Sequence, residues 1–556
     1  MKKQLINKGI AFILAILLQV GNLSAQEIRE RIYLQTDKQL YLAGELLWMK
    51  LYLTDAEGIP LDFSKVGYVE LVDETDPHIQ AKVEINNGIG EGWMELPPSL
   101  STGFYRLIAY TRYMRNEGEA IYFQRPISII NTFRNDEALQ TDTLLFSEMP
   151  SALENTITVT TDSRTLPTRS QGQLLIQGIP ENIHSLSLSV AGKDFVLPPN
   201  IITINQWNKS LAELPQKPLQ NAFAPEYEGH IIQGKLVDID SPQTPPGFKV
   251  PSFLGFVGDQ IRLYNGQVND NAEVSFYTNR NSGTHEIATS TYNLIGKKYR
   301  VDIQSPFETH TEKTLPPFIM NPKWEEQLLQ RSVGLQAQYT FTPDSRGRIE
   351  HSFSHFQWNI EKSYLLDEYT RFTTMEEVII EFIQGVTIRR SNNKRSLAVL
   401  TDDKTGYTSL RSLLVLDGIP ILDHDFIFSY DPLLLKKIDV YRGKYVFGED
   451  LFEGVVAMYS YNNDYPGLKL DETTQFFDYE GTQAKRLFYV PAQAETKRIP
   501  DFRHTLLWEP NVNTGGNTSI SIPFRTSDIT GEYQVTIEGL TKEGKVIRGT
   551  AYFDVK

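Results

Sequence analysis

The sequence predicts a mainly β chain: several immunoglobulin-like β-sandwiches with one small α/β unit. Three observations lead there. A chain of 556 residues is too long for one hydrophobic core. Its 27 Tyr and 29 Phe, with frequent Thr, Val and Ile, favour strands over helices. Alternating apolar and polar segments, divided by Gly, Asn and Pro turns, recur along most of the chain, whereas residues 371–466 mix a helical stretch with strands.

The first element is a processing signal. Lys2, Lys3 and Lys8 precede the apolar run GIAFILAILLQVG, and the small-residue site LSA ends at Ala25. The run is shorter than the ~20 residues that span a bilayer, so residues 1–25 are read as a signal peptide and no membrane span is expected in the mature chain. Its removal takes the formal charge from −15 to −18, because the segment contains three lysines and no acid. That balance argues against nucleic acid as a partner, since such binding needs clustered Lys and Arg, and no long basic stripe is present. There is no cysteine. Disulfides, thiolate metal sites, a cysteine nucleophile and a cysteine-borne lipid anchor are excluded, which fits a bacterial envelope protein in the periplasm or at the outer membrane.

Residues 27–132 form the first β-unit. RIYLQTDKQLYLAGELLWMKLYLTD reads as two strands around a loop at Gly44, each with one buried face, and VGYVELVDE, QAKVEINNGIGEGWMEL and TGFYRLIAYTRYM supply more. The stretch resembles the strand-turn-strand signature of macroglobulin-like (MG2-type) domains, carried here by Thr36, Asp37, Lys38, Tyr41, Gly44 and Glu45. The resemblance implies a seven-stranded sandwich used as a spacer or docking module and brings no catalytic residue.

After a polar stretch at 133–155, a second sandwich is expected over 155–220, ending in the Pro-rich LPQKPLQNAFAPEYEG. A third spans 226–318 and resembles the small sandwiches that accompany macroglobulin or carboxypeptidase-regulatory domains. Residues 320–370 have helical or mixed periodicity and read as a connecting segment. Within it His351 and His355 stand four apart, but no glutamate base lies between them and no third ligand is evident. They are read as surface or packing residues, so no metal site is assigned.

In residues 371–466, Thr374 is an N-cap for a helix carrying Met375, Val378, Ile379, Phe382 and Ile383, with Glu376 and Glu377 at its positive end and Gly385 ending it. Strands GVTIRRS, LAVLTDD and SLLVLDGIPI follow. Asp431-Pro432 opens a short helix with Lys436 and Lys437 near its end, IDVYRG is a strand, Gly448 turns the chain, and GVVAMYSY closes a mixed sheet. This order, with EEVIIEFIQGV, LLVLDGIPI and LLLKKIDVYRGKYVFGEDLFEGVVAMYS, is similar to the plug domain of TonB-dependent outer-membrane receptors. About 90 residues remain after Pro466, too few for a receptor barrel, so transport is not carried over. Asp417 has Asp423, Asp425 and Asp431 nearby in sequence, but their spacing fits no calcium loop; Asp-Gly after a buried strand reads as a turn, the carboxylate accepting backbone N–H bonds and Gly418 taking the positive φ.

The last unit, 467–556, resembles the macroglobulin segment with a Leu-Trp-x-Pro motif, here Leu507, Trp508 and Pro510, before a Gly-x-Tyr turn at Gly531 and Tyr533. Without cysteine there is no thioester, so covalent trapping is excluded. The expected function is non-enzymatic: protein–protein interaction at the outer membrane of a Gram-negative bacterium, docking to a barrel protein or receptor-associated complex. The alternative is a non-covalent protease-binding or protective protein, with 133–155 as bait. An envelope-polymer hydrolase has least support, as no nucleophile elbow, phosphate loop or catalytic triad spacing is found. No catalytic or cofactor-binding residue and no cofactor is assigned.

Overall fold

The computed structural model describes residues 27–134, 139–140, 155–196, 198, 200–220, 222–242, 249–292, 296–341, 347–350, 360–391, 393–401, 403–407, 410–447, 450–470, 472–491 and 499–556. The signal peptide, His351, His355, Gly448 and most of 133–155 lie outside the described residues.

Alternation in the first unit folds into an eight-stranded sandwich, one strand more than the family resemblance implies; the short strand Leu40–Leu42 pairs in parallel with Phe123–Ile130. The strand Pro77–Asn86 makes the corner. Ile79 to Glu84 pair with Val66–Val72 in one layer, and Ile85 and Asn86 pair with Ile89–Glu95 in the other. Tyr33, Tyr52, Tyr68, Tyr110 and Phe123 fill the core between them. The helix Ile204–Ser210, closed by a Thr203–Gln206 capping box, adds Trp207 to this core.

The strands Glu30–Thr36 and Leu46–Asp55 are buried on both faces rather than one. Several of their polar positions are covered by the second sandwich: Tyr52 Oη donates to the Glu538 carbonyl at 3.0 Å, and Lys50 Nζ donates to Ser185 Oγ and to the Pro510 carbonyl. Polar residues at alternate positions mark hydrogen-bond partners as readily as solvent.

The second sandwich is not confined to 155–220. Its smaller sheet is Thr158–Thr161, Gln171–Gln177 and Ser519–Arg525; its larger sheet sets Ile183–Gly192 between Thr505–Glu509 and Gly531–Thr541, with Val546–Val555 beyond. Residues 155–192 and the end of the C-terminal unit therefore build one domain with one core, which includes Leu174, Leu188, Val190, Val535 and Phe553. Each half alone exposes one apolar face, and only their pairing buries both.

The third sandwich is likewise completed from afar. Six strands between Ile231 and Ile303 receive Thr474–Glu480 as a seventh, antiparallel to Thr284–Thr291. Between these framing segments, Lys362–Leu365, Leu435–Phe447, Asp450–Ser460, Arg411–Leu416 and Ile419–Pro420 form a mixed sheet in that order, with Arg411–Leu416 and Asp450–Ser460 parallel. The helix Met375–Glu381 starts at Thr374, whose Oγ1 accepts the Glu377 N–H, and it buries Met375, Val378 and Ile379 against this sheet. The helix expected after Asp431 is a single 3-10 turn, Pro432–Leu434, capped by Asp431. Lys436 and Lys437 belong to the following strand, whose β-branched and aromatic residues favour extension.

Candidate functional site

The Asp417-Gly418 turn joins two domains. Leu416 pairs with Ile419 and Val415 with Pro420 across a two-residue loop in which both Asp417 and Gly418 have positive φ, +47° and +84°. This is the mirror-image turn that suits the twist of a hairpin, so the left-handed conformation is not the glycine's alone. Asp417 is fully buried. Its carboxylate accepts the Ser460 N–H at 2.8 Å, the Ser460 hydroxyl at 2.6 Å and the Tyr465 N–H at 2.8 Å. Its own carbonyl accepts the N–H of Gly258 in the third sandwich at 2.9 Å. There the two backbones touch: a Cβ on Gly418 would run into the Phe256 carbonyl, and one on Gly255 into the Gly418 carbonyl. Below the turn, Phe253, Leu263, Leu413, Phe452 and Val455 form one apolar core across the junction.

The other aspartates do not converge on Asp417. Asp423 accepts the Asp425 N–H at 3.2 Å and pairs with Lys394, Asp425 pairs with Arg395 at 2.9 Å, and Asp431 accepts the Leu433 N–H at 2.9 Å. Among the described residues no three His, Asp or Glu side chains are arranged to hold a metal ion.

The signature residues of the first unit are gathered into a buried polar knot. The Asp37 carboxylate accepts from Tyr41 Oη at 2.7 Å, Trp48 N–H at 3.1 Å, Thr505 Oγ1 at 2.7 Å and Lys38 Nζ at 3.1 Å. Glu45 receives both arms of Arg331, at 2.9 and 2.8 Å, from the helix Glu325–Phe341. Burial pushes the Glu45 carboxyl up, but the charges of Arg331 and Lys38 outweigh it and hold it at about 2. These residues lock first sandwich, helix and second sandwich together.

A cleft of about 410 Å³ opens beside the turn, between Ser290–Tyr292 of the third sandwich and the hairpin Val386–Ser391/Lys394–Val399. Arg389, Lys394, Arg395 and Arg411 line it, with Asp423 the one carboxylate among the described lining residues. His424 forms part of its wall; burial pulls its imidazole down to about 4, so it is neutral, and its Nδ1 accepts the Leu397 N–H at 3.1 Å. Sequence reasoning missed this site. The available signal was TIRRSNNKR, a short basic turn in an acidic chain.

Fold and site together define a mainly β, multidomain protein carrying one mixed α/β sheet. No family model matches the sequence, and no curated protein does. Among solved structures, the chain is similar to a Salmonella alpha-2-macroglobulin reacted with methylamine, at 10% identity over 95% of this chain and 39% of that one, with a TM-score of 0.24. It is similar to an Escherichia coli alpha-2-macroglobulin activated by porcine elastase, at 10% identity over 95% and 44%, TM-score 0.23. It also matches the Escherichia coli adhesin FdeC, at 12% identity over 53% and 66%, TM-score 0.15. The chain spans about two fifths of the length of the macroglobulins.

Proposed function

We propose that this is an exported, non-enzymatic envelope protein that works through protein–protein contact at the outer membrane, holding the plug-like unit of 371–466 for a barrel protein or receptor-associated complex. The observation that carries this reading is how the unit is held. One side is fixed to the third sandwich by the Asp417-Gly418 turn and the apolar core below it. On the other side the neighbouring strand Lys362–Leu365 reaches only from Lys437 to Val440, while the hairpin Leu435–Phe447/Asp450–Ser460 continues past it. On that continuation Val446 and Leu451 are cross-strand partners, 70% and 41% exposed. A rigidly mounted hairpin with an apolar pair near its tip can present itself to a partner at little ordering cost.

The test is capture of partners by the tagged protein from outer membranes solubilised in mild detergent. Recovery of a barrel protein is expected. Recovery of no membrane protein, from preparations in which known membrane complexes survive, overturns the reading.

A further inference from the structure

The proposed docking leaves the basic cleft unexplained. In a chain of net charge −15, four cationic side chains are gathered around one opening. Two are already paired: Lys394 with Asp423, and Arg395 with Asp425 at 2.9 Å and Glu376 at 3.8 Å. The other two differ. Arg389 gives one N–H to the Tyr407 carbonyl at 3.1 Å, and Arg411 lies over the Tyr292 ring at 4.6 Å, but neither has a carboxylate within ion-pair reach among the described residues. Arg389 is half-buried and Arg411 exposed, so both remain open to a ligand. An arginine fork with spare donors matches a carboxylate in bidentate fashion.

We propose that this cleft binds a short acidic peptide segment, whose carboxylates meet Arg389 and Arg411 while its aliphatic parts rest on Leu410, Leu422 and Leu470. The inference rests on the docking function, the segment belonging to the partner. Size and charge select this class. A cleft of about 410 Å³ accommodates a few residues and is far larger than an inorganic anion requires. A long polyanion would run from the cleft onto the acidic remainder of the protein and be repelled there, whereas a short segment stays within about one Debye length (~10 Å) of the four cations.

The experiment uses the mature chain and fluorescein-labelled acetyl-(Asp-Glu)3-amide, followed by fluorescence anisotropy at low and physiological salt. Saturable binding is expected, about tenfold tighter than for the matched (Asn-Gln)3 peptide and weaker at the higher salt. R389Q/R411Q is expected to weaken it about tenfold, R389K/R411K, which keeps charge and loses the fork, by less, and the remote pair K193Q/K542Q by under about twofold. Equal affinity for the neutral peptide, or indifference to R389Q/R411Q, overturns the proposal. So does binding of tri-galacturonate in place of the peptide, which would assign the cleft to an acidic glycan. A protein that captures a barrel partner but ignores the acidic peptide overturns the cleft alone; one that binds the peptide through Arg389 and Arg411 but captures no membrane protein overturns the docking function instead.

Discussion

Asp417 holds Ser460 by both its backbone N–H and its hydroxyl, at 2.8 and 2.6 Å, and so ties a hairpin turn to the end of the parallel strand beside it. The third bond, from the Tyr465 N–H, extends the clamp to the segment leaving the α/β unit. There the Tyr465 hydroxyl donates to Glu286 at 3.0 Å and its ring stacks on Phe476 of the third sandwich. The carboxylate of the turn is thus fully spent on structure.

Because both Asp417 oxygens accept hydrogen bonds, an asparagine must turn its NH2 toward a donor in either orientation. Asp417→Asn is expected to cost about 2–3 kcal/mol, the penalty of a buried polar mismatch that replaces a charged acceptor. The denaturation midpoint of the α/β unit measures it; an unchanged midpoint would mean the clamp carries no stability.

Gly418 is constrained twice, by φ of +84° and by contact with the Phe256 carbonyl, whereas Gly516 has φ of +78° and open space around its Cβ position. Gly516→Ala therefore measures the conformational penalty alone, about 1 kcal/mol. Gly418→Ala is expected to cost at least about twice as much, because backbone cannot retreat from backbone. Equal losses by urea titration would show that the two domains do not meet at this turn.

Much of this was legible locally. Thr374 and the Asp-Gly turn could be read because capping and turn chemistry act over a few residues, whereas the helix expected to run to Gly385 stops at Glu381. What stayed hidden was distance. Glu45 meets Arg331 from a helix nearly three hundred positions away, Ile183–Gly192 finds both its strand neighbours after residue 500, and Arg389 meets Arg411 only because a cleft brings them to one rim. Periodicity shows which face of a strand is apolar but not which remote strand covers it.

The Glu45–Arg331 pair should show in acid. With the folded-state carboxyl held at about 2 against a usual 4.5, its contribution is complete above pH 4.5 and is lost as pH falls toward 2. Arg331→Met is expected to lower stability at pH 7 by about 3–5 kcal/mol, since Glu45 stays buried with only Lys38 at 3.4 Å. That deficit should narrow at pH 3. A deficit constant from pH 7 to 3 would show that packing, not charge, is what Arg331 supplies.

Glu226 runs the other way. Burial pushes its carboxyl up from 4.5 to about 7, against the opposing pull of the Ile231 N–H, Arg112, the Tyr68 hydroxyl and Lys82. The folded state favours the protonated form, so this residue's stability is full below pH 4.5 and lost as pH rises through about 7. Glu226→Gln keeps an oxygen for the Ile231 N–H and the Tyr68 hydroxyl, at 2.8 and 3.0 Å, and removes the titration. Between pH 5 and pH 8 the variant should gain on the parent by up to about 3 kcal/mol in urea unfolding. Parallel stability curves would place the titration elsewhere.

The hairpin prediction separates docking from folding. Val446 and Leu451 face each other across the hairpin and are largely exposed, while Phe447 and Phe452 turn inward to the apolar core shared with the third sandwich. A single charge placed at Val446, the more exposed of the two, meets solvent in the isolated protein, so Val446→Glu should shift stability by no more than about 0.5 kcal/mol. In a docked complex the same carboxylate would be buried without a partner, at a cost of several kcal/mol and so a loss of binding of about a hundredfold or more. Capture from solubilised outer membranes should therefore fail for this variant while its unfolding midpoint stays that of the parent. Undiminished capture would move the docking surface away from the hairpin, and a lowered midpoint would show that Val446 serves the fold.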